Sequence, residues 1–399
     1  MSERSALTVA FDVLPLAGPR TGVGVCCEQL LRALAGRDDL DVTAFAVARR
    51  AAALRALVPS GVRFCSAAIP TRIAHLAWRL ARRPTIESVA GRVEVVHGTN
   101  FAVPPTRRAA AVLTVNDVTP WRFPELCAPA SRSYPKLVVS AVRRGAFVHT
   151  ASRHVAGELS ELIGIPLESI TVIPYGLPPV QAPALDRAAG GGGPDGPAGG
   201  GGPEDPSGAA LSDRAAGVGP YVLAISTIEP RKDYPGLVRA FAEIAGSHPD
   251  LRLVIAGAEG RGSAALDEAV AASGVGERVV RLGYVDDALR SSLLAGARAL
   301  AYPSLYEGFG FPPLEAMAAG VPVVTTAGGA LPEIVGDGAI VVPVRDTAAL
   351  AGALEQVLSD ATLRAALVQR GRAQAARYSW DGCAAAMFDL YTRAAASRG

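Results

Sequence analysis

The sequence predicts an α/β protein of two Rossmann-like, doubly wound halves, on three observations. Its 399 residues exceed what one hydrophobic core usually organises. Short apolar runs recur along both halves, each ending in polar or glycine residues and followed by a helical pattern, as parallel strands with crossover helices require. Between the halves, residues 181–217 carry the glycine runs Gly190 to Gly193 and Gly199 to Gly202, with Pro194, Pro197, Pro203 and Pro206 interspersed. Almost devoid of large apolar side chains, that stretch buries too little surface to offset chain entropy and reads as a flexible linker. The expected division is a first domain over 1–180, the linker over 181–217, a second domain over 218–376 and a terminal helical segment over 377–399.

In the first half, Leu7 to Phe11 reads as a buried strand. The loop from Pro15 to Gly24 follows, containing Arg20, Thr21, Gly22 and Gly24, and a helix then runs through Glu28, Leu30, Leu31 and Leu34. A G-x-G after a strand describes a tight turn as readily as a phosphate-facing loop. Val42 to Val47 is the next strand, with a helix through Leu54 and Leu57 expected after it. Residues 71–83 form a basic helical pattern around Trp78, with Ile73, Leu76, Ala77 and Leu80 on one face. That pattern suits an interfacial helix on anionic lipid or an ordinary surface helix. Two further strands end in polar tips, His97 to Asn100 and Asn116-Asp117, where parallel sheets bind ligands. Phe147 to Thr150, a helix opened by Ser152, and Ile170 to Pro174 complete the half.

The second half opens with the strand from Tyr221. Its loop, Ser226 to Asp233, presents Arg231 and Lys232 ahead of a helix over Leu237 to Ala245. Adjacent cations at a strand end suit a phosphate, although a solvated pair has the same sequence. Arg252 to Ala256 and Val279 to Leu282 are the next strands; Tyr284 and Val285 follow, and Asp286 is placed to cap a helix over Ala288 to Ala295. The stretch from Tyr302 to Thr326 then reads as strand end, loop, helix and strand. Pro312 and Pro313 suit a first helical turn, Gly320 its end, and Val321 to Thr325 the next strand. Gly308 and Gly310 allow a ligand to approach the backbone. Free amides at a helix start favour an anion. Glu307 in the loop and Glu315, placed in the first helical turn, add two carboxylates. A polyhydroxylated group beside an anionic one fits such a loop, and a nucleotide-sugar is both.

Glu307-Gly308-Phe309-Gly310-Phe311-Pro312-Pro313-Leu314-Glu315 resembles the motif of two glutamates seven residues apart in the retaining family 4 glycosyltransferases. The segments Pro174 to Gly176, Ser226 to Asp233, Thr326 to Glu333 and Tyr378 to Trp380 also resemble that family, so the likeness spans the chain apart from the linker. The resemblance implies the GT-B fold, two Rossmann-like domains facing across a cleft, the first on the acceptor side and the second binding the nucleotide-sugar, with the last helix crossing back to the first. It implies a metal-independent, retaining hexosyltransferase of polysaccharide or glycoconjugate biosynthesis, similar to mannosyltransferases. The donor would be a nucleotide-diphosphate sugar, GDP-mannose by analogy, and the acceptor a saccharide, a lipid-linked saccharide or a small molecule. By the same resemblance Arg231, Lys232 and Glu307 are catalytic. Gly22, Gly24, Asn116, Asp117, Thr227, Tyr284, Val285, Gly308, Phe309, Gly310, Phe311, Leu314 and Glu315 are donor-binding, with Glu307 on the sugar hydroxyls and Glu315 on the ribose. Two positions depart from the family pattern: Asn116 stands where relatives carry histidine, and Ser226-Thr227 where many carry a further arginine.

Half the residues are hydrophobic and the formal net charge is only +2, so bulk electrostatics single out no partner and no nucleic acid is expected. The nucleotide-sugar is a substrate, so no cofactor is expected, and no carboxylate cluster suggests a metal. Five cysteines lack metal or redox spacing, and no targeting signal or bilayer-length apolar run is present. The expected location is cytoplasmic, with peripheral contact at the inner membrane face through residues 71–83. A glycosidase needs two carboxyl groups about 5–10 Å apart across the scissile bond, whereas Glu307 and Glu315 belong to one side. A nucleotide-sugar epimerase of the same fold and a catalytically idle nucleotide-sugar-binding relative are the alternatives.

Overall fold

The computed structural model describes residues 6–18, 22–129, 131–177 and 219–398. The expected linker and the loop residues Arg20 and Thr21 lie outside them. The chain divides into two compact units, Met1–Pro178 with Tyr378–Gly399, and Pro179–Arg377.

The first unit contains a seven-stranded parallel sheet of order β3-β2-β1-β4-β5-β6-β7 among the described residues. Its strands are β1 (Leu7–Asp12), β2 (Leu40–Val47), β3 (Arg63–Ala67), β4 (Val95–Gly98), β5 (Ala110–Thr114), β6 (Phe147–Thr150) and β7 (Ile170–Val172). β4 and β5 are buried along their whole length, which explains their unbroken apolar runs: a parallel sheet is covered on both faces. Strand order reverses between β1 and β4, where Phe11 lies between Ala44 and His97 in register.

The last helix, Trp380–Ala396, belongs to this unit and buries Met387, Leu390, Tyr391 and Ala394. A buried polar chain ties it to the sheet. His149 Nε2 lies 3.0 Å from the Ile173 carbonyl, which only accepts, so that nitrogen carries the proton. Its Nδ1 must then accept from the Thr114 hydroxyl at 2.8 Å. Thr114 in turn accepts from His97 Nε2 at 2.7 Å, and His97 Nδ1 accepts from Tyr391 Oη at 2.7 Å. Every donor in this chain is used once, and both imidazoles are neutral. Burial drives the His97 value well below the ordinary one, helped by His149, and lowers His149 to about 4.

The second unit holds a six-stranded parallel sheet of order β10-β9-β8-β11-β12-β13 among the described residues. These strands are β8 (Tyr221–Ile225), β9 (Arg252–Ala256), β10 (Val279–Gly283), β11 (Ala299–Tyr302), β12 (Val323–Thr326) and β13 (Ala339–Val342). Leu237, Val238 and Phe241 of the helix Tyr234–Ile244 pack with Leu253, Ile255, Leu354 and Val357 to form its core. Order reverses between β8 and β11. In each sheet the loops leaving the strands beside the reversal are therefore where ligands bind in doubly wound folds.

Several local expectations shift. Gly22 and Gly24 lie in α1 (Gly22–Ala35), not in a loop, and Leu14–Ala17 makes a 3-10 turn ahead of it. Leu54 and Leu57 belong to a 3-10 helix, Ala51–Leu57. In α2 (Thr71–Leu80) the inward residues are Ala74 and Trp78; Ile73, Leu76 and Leu80 are 58%, 50% and 70% exposed. The helix after Glu307 starts at Phe311, which moves Glu315 beyond the first turn, and β12 starts at Val323.

Candidate active site

At the reversal of the second sheet, the loop leaving β8 makes a 3-10 turn, Pro230–Lys232. Asp233 follows in the left-handed region at φ 46° and caps the next helix by accepting from Gly236 N at 3.2 Å. The turn is stapled to the loop leaving β11: Leu305 N donates to Arg231 O at 2.7 Å, and Arg231 Nη1 to Tyr306 O at 3.2 Å. This staple brings Arg231 and Lys232 onto Glu307. Glu307 Oε1 lies 2.6 Å from Arg231 Nη1 and also accepts from Lys232 Nζ, Tyr302 Oη at 3.0 Å and Ser304 Oγ at 2.7 Å. Its Oε2 makes no hydrogen bond among the described residues.

Glu307 and Lys232 are only 8% and 6% exposed, so neither is a solvated surface charge. Burial alone would raise the Glu307 carboxyl. Arg231 and Lys232 outweigh it, and the group is held well below the ordinary carboxylate range. Burial, then the Glu307 charge, pushes the Tyr302 phenol well up. Tyr302 therefore stays neutral and donates to Glu307, while Lys232 Nζ also sits 4.6 Å from its ring centre.

Two glycines shape the loop. Gly310 precedes the helix Phe311–Ala318 at φ 125°, a conformation that side chains avoid. Gly329 has φ 66°, and a Cβ there would lie 2.3 Å from the Glu307 carbonyl oxygen. Gly329 thus lets the loop after β12 close on Glu307, where Ala330 N donates to the Glu307 carbonyl at 2.8 Å. Pro312 and Pro313 occupy the second and third helical positions and carry no N–H. The amides available to an anion are correspondingly fewer than a helix start normally offers. Leu314 is fully buried, backbone included; Phe309 is buried and its ring lies 5.0 Å from that of Phe311.

Glu315 pairs with Arg290 of the helix Asp287–Gly296. Asp286 caps that helix as expected, accepting from Leu289 N at 2.8 Å. Tyr284 is exposed and Val285 half-buried in the loop leaving β10, and Thr227 is exposed in the loop leaving β8. The second unit thus gathers Arg231, Lys232 and Glu307 tightly, with the other second-half residues in loops or the helix at the same end of the strands. Tyr302, Ser304 and Arg290 join them without having been singled out by sequence.

Asn116, Asp117, Gly22 and Gly24 belong to the first unit. The amide of Asn116 is engaged on both sides: Nδ2 donates to Thr99 O at 3.3 Å and Asn100 Oδ1 at 3.1 Å, and Oδ1 accepts from Tyr175 Oη at 2.6 Å. Asp117 accepts from Thr119 N at 2.9 Å. Among the described residues no three His, Cys, Asp or Glu side chains gather as a metal site.

The comparisons agree with this architecture. Residues 21–176 match the family model "Glycosyl transferase 4-like domain", and residues 214–374 match "Glycosyl transferases group 1". The O-antigen chain mannosyltransferase B of Escherichia coli is 40% identical over 174 residues, 43% of this chain and 45% of that protein. The chain thus spans about half the length of the curated relatives it matches. A sucrose-phosphate synthase from Thermosynechococcus elongatus superposes with a TM-score of 0.72 at 19% identity, covering 98% of this chain and 100% of that one. The Anabaena protein HepE, solved in complex with UDP-glucose, superposes with a TM-score of 0.70 at 17% identity, covering 97% of this chain and 100% of that one. With both halves matched by family models and the GT-B fold shared by its structural neighbours, the chain belongs to the family 4-like glycosyltransferases.

Proposed function

We propose that the protein transfers a sugar from a nucleoside-diphosphate sugar to a hydroxyl acceptor, with retention of anomeric configuration and without a metal. The observation that supports this most is Glu307 buried between Arg231 and Lys232 at the strand-order reversal. In the reaction the bond from the sugar C1 to the phosphate oxygen breaks, and the diphosphate leaves with the electron pair. The acceptor oxygen bonds to C1 on the same face, and its proton passes to the departing phosphate oxygen. Charge grows on the diphosphate, and prearranged cations stabilise that charge without having to reorganise. Glu307 keeps Arg231 and Lys232 in place before substrate arrives, while its unengaged Oε2 is an acceptor for a sugar hydroxyl. Glu315 is the ribose contact, its carboxylate steadied by Arg290.

GDP-mannose is the first donor to test, because the Escherichia coli relative is named a mannosyltransferase. UDP-glucose is the second, because it is the ligand of the Anabaena structure. The acceptor is a saccharide, lipid-linked or free, or a small molecule, and the enzyme works in the cytoplasm at the inner face of the membrane. There α2 docks, its exposed Ile73, Leu76 and Leu80 entering the interface while Arg72, Arg79, Arg82 and Arg83 meet anionic headgroups. A donor that binds only the folded chain raises its melting temperature. The test is a thermal-shift screen of nucleotide-sugars, followed by NMR of the product's anomeric configuration with and without EDTA. Donor-specific stabilisation and an EDTA-insensitive, retained product support the reading; inversion or epimerised donor overturns it.

A further inference from the structure

β11 ends in Tyr302, whose phenol has no part in the reaction above. The strand is buried along its length, where parallel sheets usually carry apolar side chains. Tyr302 is 3% exposed, and among the described residues its hydroxyl meets only members of the charged cluster. An ammonium only donates, so Tyr302 Oη accepts from Lys232 Nζ and gives its one proton to Glu307 Oε1 at 3.0 Å. The backbone beneath it is anchored, since Thr325 Oγ1 of β12 donates to Tyr302 O at 2.8 Å. Ser304 is a second hydroxyl of the same kind. It is fully buried, its carbonyl accepts from Thr326 Oγ1, and its Oγ donates to Glu307 Oε1 at 2.7 Å.

Glu307 Oε1 thus receives four donors, two cationic and two neutral, while Oε2 receives none among the described residues. A carboxylate oxygen offers roughly two lone-pair directions, so the four compete and two can leave without stripping it. Reach and charge decide which two. Arg231 and Lys232 are long side chains from the loop after β8, and a diphosphate attracts both. The hydroxyls of Tyr302 and Ser304 sit on buried, anchored backbone and carry no charge to draw them away. Burial works against an ionised Glu307, and in the free protein the two cations overcome it. When a diphosphate engages the cations, the two hydroxyls remain to bind the carboxylate.

We infer that Tyr302 is a positioning residue for sugar transfer: its hydroxyl, with that of Ser304, holds Glu307 in place while Arg231 and Lys232 turn from the carboxylate to the donor diphosphate. The inference rests on the transferase reading above and adds to it the groups that let the cations change partner.

The test compares wild type with Tyr302→Phe, which keeps the ring beside Lys232 and removes only the hydroxyl. Calorimetry with GDP, GMP, UDP and UMP reads binding. Release of GDP from GDP-mannose, or of UDP from UDP-glucose, with water as acceptor reads turnover. Tyr302→Phe should weaken the diphosphate about fivefold, the loss of one hydrogen bond, and leave the monophosphate within about twofold. Release at saturating donor should slow by at least roughly fivefold. In a Lys232→Met background the same substitution should have little further effect on the diphosphate, because both residues act through one cluster. Ser304→Ala should shift binding in the same direction and serves if Tyr302→Phe folds poorly. Unchanged binding and release in both hydroxyl variants, equal losses for diphosphate and monophosphate, or full additivity with Lys232→Met would overturn the inference alone. A wild type with no preference for diphosphate would instead remove the donor reading and this inference with it.

Discussion

At the reversal of the second sheet Arg231, Lys232 and Glu307 already satisfy one another, whereas at the reversal of the first sheet the Asp12 carboxyl accepts from Leu14 N alone among the described residues and borders a cavity with His75. Both sites occupy the same topological position, the carboxyl ends of the strands flanking the switch in order. The difference lies in what each must do before a ligand arrives. A lysine held apart from water beside a part-exposed arginine needs a counterion, and Glu307 supplies it. Neutral donors and acceptors can stay unpaired at a lesser penalty.

Removing the counterion gives the largest expected effect. Glu307→Gln leaves Lys232 buried without its charge partner and should cost about 3–5 kcal/mol of stability by denaturant titration. Adding Lys232→Met to it should recover most of the loss. Asp12→Asn, at the equivalent place in the first unit, should not lower stability at pH 7, since Asn retains an acceptor for Leu14 N and removes a carboxylate that burial disfavours. Equal losses at the two sites would show that the contrast is not real.

Next comes chemistry. Arg231→Ala should lower turnover at least roughly tenfold, about 1.4 kcal/mol of transition-state stabilisation, while the chain still melts cooperatively. Unchanged turnover would remove the arginine from the mechanism.

The buried chain from His149 to Tyr391 in the first unit gives a similar but structural effect. Tyr391→Phe strands His97 Nδ1 and should cost about 1–3 kcal/mol. The network also sets an acid limit. His97 and His149 are neutral in the fold, while in the unfolded chain they take protons at about 6.5. Their contribution is complete above that value and is lost as pH falls towards the folded value of about 4 for His149. Asp12 acts with the opposite sign, since its carboxyl is raised to about 7: its protonated form stabilises the fold at low pH and that contribution fades as pH rises to 7. The smallest effect follows. Between pH 7 and 5 the melting temperature of Asp12→Asn should fall more steeply than that of wild type, because only the histidine trend remains. Parallel curves would place Asp12 in water.

Much of this was legible in the residues. Unbroken apolar runs with polar ends follow directly from parallel strands buried on both faces, and Asp286 ahead of a helical run marked its cap. The pairing of Glu307 was not legible, because Lys232 lies 75 residues away and nothing in either segment states that one carboxylate oxygen serves both cations. Periodicity grouped Ile73, Leu76 and Leu80 correctly on one face of α2, but it cannot tell which face turns inward; the bulk of Trp78 decided that. Asp12 was missed although it obeys the rule that flagged Asn116, a polar residue ending an apolar strand. Glu315 was placed a turn too early because the prolines marked the helix start without showing that Phe311 precedes them inside it.

The most direct measurement of the central claim is calorimetric titration with nucleoside diphosphate and the matching monophosphate, on wild type and Arg231→Ala. A clamp for the terminal phosphate should make the diphosphate bind at least roughly tenfold more tightly than the monophosphate, and Arg231→Ala should erase most of that difference while leaving the monophosphate unaffected. Equal affinities in wild type, or a preference that survives Arg231→Ala intact, would contradict it.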